Sequence, residues 1–242
     1  MEQIKAPVLI VGIPRSGTSM TAGAFVECGA WGGDLQGPNR FNKRGMFENL
    51  RIRSEVVKPF LRENGWDPAA QKPLPNMRQV HAISNEEVEQ FKDKILSIMV
   101  AQGLKENQNW FYKCPKMCLI WPIFHKAFPE AKWIIVRRQA EDIVSSCLRT
   151  SFMRAYNKRS GWLKWAAHHE DCFEQMIEAK LTVREIWPER MIRGDFTEIQ
   201  ACVNDYGFDY NEKKVVNFID PGLWRGWDSK RREGWQESSQ QK

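Results

Sequence analysis

Long apolar runs are missing from this sequence: no stretch approaches the roughly 20 consecutive apolar residues a bilayer-spanning helix needs, which excludes a helical membrane class. The N-terminal stretch Met1-Glu2-Gln3-Ile4-Lys5-Ala6-Pro7 lacks the apolar core and small-residue cleavage site of a signal peptide, so a cytoplasmic location is expected. Paired cysteines are missing as well. The six cysteines, at 28, 114, 118, 147, 172 and 202, form no C-x-x-C sets and read as reduced, partly buried thiols rather than zinc ligands. Histidine is scarce, and of the four only His168 and His169 adjoin; neighbouring positions point in different directions on a helix, so no metal site is expected. Neither sign of charge dominates. The balance of 36 basic against 30 acidic residues suits a small polyanion as well as a nucleic acid and by itself decides neither.

What is present fits an ordinary globular protein. At 242 residues, 42% hydrophobic and 27% charged, the chain can bury a core without staples and has room for one domain. Residues 1–227 are expected to form that domain and 228–242 a polar C-terminal tail.

Val8-Leu9-Ile10-Val11 is a β-branched apolar run followed by a glycine-rich turn and helix-compatible residues up to Cys28, which predicts a buried strand, a tight turn and a helix. Glycines and prolines from 29 to 44 predict a long loop, of a length that suggests function. A helix is predicted over 49–64, and another after Ser84, which with Glu87 makes a capping box ahead of Val88, Phe91, Ile95, Ile98 and Met99. Trp110-Phe111-Tyr112 reads as a second strand with a helix over 116–128 after it. Lys132 to Val136 reads as a third strand, with a helix over 140–150. A long helical region over 162–187 closed by Pro188, a fourth strand at Met191-Ile192-Arg193 and a helix over 195–203 complete the pattern. Strands alternating with helices imply a three-layer α/β/α fold with a mainly parallel central sheet, as in P-loop NTPases. Ligands in such folds sit beyond the carboxyl ends of the strands, and Arg15, Lys113 and Arg138 each lie just past one.

Gly12-Ile13-Pro14-Arg15-Ser16-Gly17-Thr18-Ser19 sets a glycine-rich turn between strand and helix, where backbone N–H groups and the helix N-terminus favour phosphate or sulfate. The spacing resembles the P-loop G-x-x-x-x-G-K-[ST], but Thr18 occupies the lysine position and the cation comes earlier, at Arg15. Phosphoryl transfer needs that lysine and a magnesium ion. A sulfuryl group carries less charge, and cationic side chains and hydroxyls can manage its transfer without a metal.

Residues 12–19 resemble the donor loop Gly-x-Pro-(Lys/Arg)-Ser-Gly-Thr-(Thr/Ser) of the sulfotransferases that use 3′-phosphoadenosine 5′-phosphosulfate (PAPS). The resemblance implies that Arg15, Ser16, Gly17, Thr18 and Ser19 bind the 5′-phosphosulfate and that Arg15 steadies the departing bridging oxygen. A second family motif is a strand ending in Arg with a Ser eight residues later, both on the donor's 3′-phosphate. Here Arg138 with Ser146 and Arg137 with Ser145 both keep that spacing, and Gln139-Ala140 stands where the family has Asn/Asp-Pro. Lys113-Cys-Pro115 and Phe128-Pro-Glu-Ala131-Lys132 are similar to the bacterial and tyrosylprotein branches, which implies that Lys113 stabilises charge at the transfer site.

The steroid- and phenol-type branch carries a histidine base two residues after this lysine; Pro115 stands there instead. Asn42-Lys-Arg-Gly45-Met-Phe47-Glu48 resembles a bacterial segment whose glutamate can reach the acceptor, so Glu48 is the candidate base; capping the next helix or pairing with an arginine is the alternative. Arg193-Gly-Asp195-Phe196 is similar to a structural element of the family, and Arg225 or Arg231-Arg232 is a weak match to its distal basic segment. The many tryptophans either line an acceptor pocket or pack the core. The resemblance therefore implies a PAPS-dependent sulfotransferase releasing PAP, acting in line on a small-molecule or carbohydrate acceptor, with no metal and no nucleic-acid partner. A P-loop nucleotide kinase and a non-enzymatic nucleotide-binding module are the competing readings.

Overall fold

The computed structural model describes residues 4–224. The expected tail 228–242, with Arg231, Arg232 and Trp235, lies outside the described residues, as do Arg225 and Trp227 at the end of the expected domain. In chain order the regular elements are β1 (Val8–Gly12), α1 (Thr18–Glu27), a π-helical turn (Ile52–Val57) running into α2 (Lys58–Glu63), α3 (Met77–His81) and α4 (Asn85–Ala101). Next come β2 (Phe111–Lys113), a 3₁₀ turn (Pro115–Ile120), α5 (Trp121–Ala127), β3 (Lys132–Val136), α6 (Ala140–Leu148) and α7 (Arg159–Glu178). The chain then adds β4 (Val183–Ile186), α8 (Pro188–Ile192), α9 (Thr197–Asp205), α10 (Glu212–Phe218) and a last 3₁₀ turn (Pro221–Leu223).

The four strands form one parallel sheet in the order β2-β1-β3-β4. Side chains alternate across it as the pleat requires. Leu9, Val11, Tyr112, Trp133 and Ile135 join one core with residues of α4 to α7, while Val8, Ile10, Phe111, Ile134 and Val136 join a second core with α1, α9 and α10. The expected three-layer α/β/α architecture is therefore present. β1 is central, with β2 on one side and β3 on the other, so the chain leaves in opposite directions around it. That switch point opens a crevice beyond the carboxyl ends of the strands.

Four local expectations are corrected. Met191 and Ile192 belong to α8, and the fourth strand is β4, eight residues earlier. Pro188, expected to close a helix, opens one instead, because its missing N–H costs nothing in a first turn. β4 is an edge strand with exposed Arg184 and Glu185, the charged pattern that discourages edge pairing and hides a strand from an apolar-run reading. α7 stops at Glu178 rather than 187, and Lys180 takes the left-handed conformation (φ 57°) more often supplied by glycine after a helix. The helix expected over 116–128 is split into the 3₁₀ turn and α5, with Pro122 at the start of α5. The capping box on α4 is formed as read, with Ser84 and Glu87 bonding reciprocally.

Trp66, Trp162 and Trp165 are buried in the core, and Trp31 packs against it. Of the tryptophans outside the expected strands, Trp224 alone lines the main cavity among the described residues.

Candidate active site

The strand ends and the long loop enclose a cavity of about 540 Å³. From the turn after β1 it takes Arg15, Gly17, Thr18 and Ser19; from the end of β2, Lys113; from the end of β3 and from α6, Arg138 and Ser146. Glu48 enters from the long loop. Eight of the nine residues expected at the site thus share one cavity.

Ser16 is the exception. Its N–H is used on Ile13 O at 2.9 Å, and its fully buried hydroxyl points back toward β1, 2.7 Å from where a Cβ on Gly12 would stand. It lies beneath the turn, facing away from the cavity, without a hydrogen-bond partner among the described residues. Only glycine fits at position 12, since a Cβ would also meet Thr18 Cγ2 at 2.6 Å and Val136 O at 2.9 Å. The turn carries two left-handed residues, Arg15 (φ 79°) and Gly17 (φ 104°), and the first is strained for a residue with a Cβ. Beyond it, the N–H groups of Thr18 and Ser19 stand at the anion-favouring end of α1, while Met20 N and Thr21 N both donate to Gly17 O, at 2.9 and 3.1 Å.

Arg138 and Arg137 are separated by the tertiary structure. Arg138 NH1 donates to Arg15 O at 2.9 Å, its guanidinium lies 4.1 Å from the centre of the Trp224 ring, and Arg15 Nε donates to Ser146 Oγ at 3.0 Å. Burial lowers the pKa of Arg138, while Asp142 and Glu189 oppose the shift. Arg137 turns the other way. It bonds Glu185 at 2.7 Å, Glu174 at 3.0 Å and also Glu170, and its guanidinium covers the Phe173 ring. The Arg138/Ser146 register faces the cavity.

Lys113 is 1% exposed and its Nζ donates to Ser19 Oγ and Met46 O at 3.2 Å each and to Glu48 Oε1 at 3.1 Å. Ser19 in turn donates to Met46 O, which ties the anion loop to the long loop. Gly45 (φ 122°) and Phe47 (φ 54°) turn the chain so that Glu48 points inward. Asn49, not Glu48, caps the helix that follows, its Oδ1 accepting from Ile52 N. Glu48 Oε2 is buried, 3.6 Å from Arg53 NH1, and has no hydrogen-bond partner among the described residues. Burial pushes the Glu48 pKa up, but Lys113, Lys116 and Arg53 together outweigh it and hold the carboxyl below its ordinary range.

Arg53, Lys58 and Lys116 also line the cavity and escape a sequence reading. Arg53 and Lys58 are five residues apart, about 140° around an α-helix of 3.6 residues per turn. The i→i+5 winding of the Ile52–Val57 turn brings such positions back toward one side. Lys116 stands inside the Lys113-Cys-Pro115-Lys116 segment, and its distance of three residues from Lys113 was the available signal. Among the described residues no His/Cys/Asp/Glu cluster suited to a metal is present, and no helix is long and apolar enough to cross a membrane.

The fold finds its counterpart in known proteins. A family model described as "Sulfotransferase family" matches residues 7–203. The chain belongs to the sulfotransferase family. The sulfotransferase domain from the Synechococcus PCC 7002 olefin synthase is similar in structure, with a TM-score of 0.52 at 14% identity, covering 94% of this chain and 89% of that one. Sulfotransferase STF9 from Mycobacterium avium is similar with a TM-score of 0.56 at 11% identity, covering 89% of this chain and 67% of that one. At these identities the two likenesses establish the fold. No curated protein matches the chain in sequence.

Proposed function

We propose that this protein transfers a sulfuryl group from PAPS to a hydroxyl or amine of a small-molecule or carbohydrate acceptor. The observation that carries the reading is the convergence of Arg15, Lys113 and Arg138, from the ends of three adjacent strands, on one cavity that also holds the Glu48 carboxylate. The cavity volume is within the range of nucleotide-sized ligands. The donor set is chemically suited to the group: arginines and backbone N–H groups for phosphate and sulfate oxygens, and Thr18 in place of the P-loop lysine.

In this reading the turn at 15–19 holds the 5′-phosphosulfate through Arg15, the Thr18 and Ser19 hydroxyls and the N–H groups of those two residues, and Arg138 with Ser146 holds the 3′-phosphate. Bound there, the donor supplies an electrophilic sulfuryl group whose bond to the 5′-phosphate oxygen breaks as the acceptor oxygen or nitrogen bonds to sulfur in line. Lys113 sits between Ser19 and Glu48 and balances negative charge at their junction. Glu48 is ionised at neutral pH, and its unpartnered Oε2 is the atom that takes the acceptor's proton.

Calorimetric titration with adenosine 3′,5′-bisphosphate (PAP) in EDTA tests the reading. Binding without magnesium, weakened by both Arg15→Ala and Arg138→Ala, is expected. Affinity unchanged in both variants sinks it. Magnesium-dependent turnover of ATP would favour a kinase instead, and binding without product formation, with a steep salt dependence, a non-enzymatic module.

A further inference from the structure

The cavity carries more positive charge than a sulfuryl donor can neutralise. Nine of its lining side chains are Lys or Arg, against the two carboxylates Glu48 and Asp220. A phosphomonoester brings roughly two negative charges and each half of a phosphosulfate about one, so the donor leaves a surplus of about three cations.

Beyond Arg15, Lys113 and Arg138, three of these cations, Arg40, Lys43 and Arg44, belong to the long loop, where Arg44 pairs with Asp220, and the other three cluster around Glu48. Arg53, Lys58 and Lys116 surround Glu48 on the cavity wall, yet Glu48 already gives one carboxylate oxygen to Lys113. Arg53 reaches the other oxygen only at 3.6 Å and donates instead to Gln36 Oε1 at 2.9 Å. The ammonium groups of Lys58 and Lys116 make no ion pair and no hydrogen bond among the described residues, although both are only partly exposed. Burial, and then Lys116 and Arg53, pull the Lys58 pKa down, so the cluster is under mutual repulsion that a bound anion would relieve. The π-helical turn that swings Arg53 and Lys58 toward one side is a winding met frequently at functional sites.

The donor's own anchors are elsewhere: Arg15, Arg138 and Ser146 are joined to one another and to the turn after β1. Resting on the donor assignment proposed above, we infer that the acceptor carries an anionic group, such as a carboxylate, sulfate or phosphate, beside the hydroxyl or amine it presents, and that Arg53, Lys58 and Lys116 hold that group. Phe41 and Phe152, in edge contact at 4.8 Å, give the same cavity an apolar wall, so an anion attached to an aromatic or aliphatic body suits it.

The test uses the full chain saturated with PAP and two fluorescent probes, a naphthol sulfonate and the parent naphthol, which share a ring and hydroxyl and differ in the anion. Preference for the sulfonate by about tenfold or more is expected, a difference of about 1.4 kcal/mol. Lys58→Ala/Lys116→Ala should abolish that preference and leave PAP affinity unchanged, PAP binding also reporting that the variant is folded. The milder Lys58→Gln/Lys116→Gln should act in the same direction. Equal affinity for the two probes, absence of saturable binding by either, or a preference that survives in both double variants overturns the inference. Failure of the wild-type protein to bind PAP would instead undo the donor assignment, so the two readings fail separately.

Discussion

Arg138 donates through NH1 to the backbone carbonyl of Arg15 at 2.9 Å, across 123 residues of sequence. The residue proposed for the donor's 3′-phosphate is therefore also a brace for the strained turn proposed for its phosphosulfate. Arg15 returns the contact through Nε to Ser146, so the end of β3, the start of α6 and the turn after β1 form one unit.

Arg138 and Arg137 should separate cleanly in mutants. Arg138→Ala is expected to weaken PAP binding by roughly tenfold to a hundredfold, the loss of one or two charge-assisted hydrogen bonds. Arg137→Ala should leave PAP affinity unchanged and lower stability by about 1 to 3 kcal/mol, because Glu170, Glu174 and Glu185 lose their shared cation. Calorimetry with PAP and urea denaturation of both variants measure the two effects; the opposite assignment would reverse them.

The Lys113–Glu48 pair should show the behaviour of buried charges. Lys113→Ala strands a buried carboxylate and is expected to cost about 3 to 5 kcal/mol, whereas Lys113→Met/Glu48→Leu should regain most of that stability without regaining transfer. Glu48→Gln should keep PAP binding and reduce turnover by roughly a hundredfold or more. Since the folded-state pKa of Glu48 is depressed, its stabilising contribution is present above the ordinary value of 4.5 and is lost as pH falls through the lower folded value. Acid unfolding curves of Glu48→Gln should accordingly be shallower than those of the wild type.

His169 should set a second pH dependence in a different window. It is fully buried, its Nδ1–H donates to Trp165 O at 2.8 Å, and burial drives its pKa from 6.5 to about 3. The unfolded chain takes up a proton below 6.5 that the folded chain refuses, so stability is complete above that value and declines as pH falls toward 3. The expected slope is about 1.4 kcal/mol per pH unit from this one group, and denaturation between pH 6.5 and 5 should show it flattened in His169→Gln. An unchanged slope in the variant would assign the dependence elsewhere.

Gly17 and Gly29 offer a matched pair for backbone strain. Both have left-handed φ, 104° and 84°, but a Cβ at Gly29 would meet open space, while one at Gly17 would stand 2.9 Å from Pro188 Cγ and 3.0 Å from the Trp224 ring. Gly29→Ala should cost about 1 to 2 kcal/mol of stability and nothing in PAP affinity. Gly17→Ala should cost more and weaken PAP binding as well, because Pro188, Trp224 or the turn itself must shift. Equal effects of the two changes on PAP binding would argue against a donor role for the turn.

Features whose cause is local were legible in the sequence. The apolar runs at Val8 and Trp133, the glycines at 12 and 17 and the Ser84–Glu87 box state their own backbone requirements within a few residues, and the parallel sheet follows from their alternation with helices. β4 was not legible, because an edge strand carries charge on purpose, and neither was the side shared by Arg53 and Lys58, because the helical period assumed for it was 3.6.

By itself the sequence determined the fold class and the turn between β1 and α1. Which of Arg137 and Arg138 faces the cavity was decided only by the folded chain, since successive residues at a strand end point to opposite faces and the spacing to Ser145 or Ser146 satisfies both. Ser16 shows the same division. Its place in the motif is written in the sequence, but that its hydroxyl is buried under the turn beside Gly12, in the space that Val136 O of β3 also borders, is set by the folded chain.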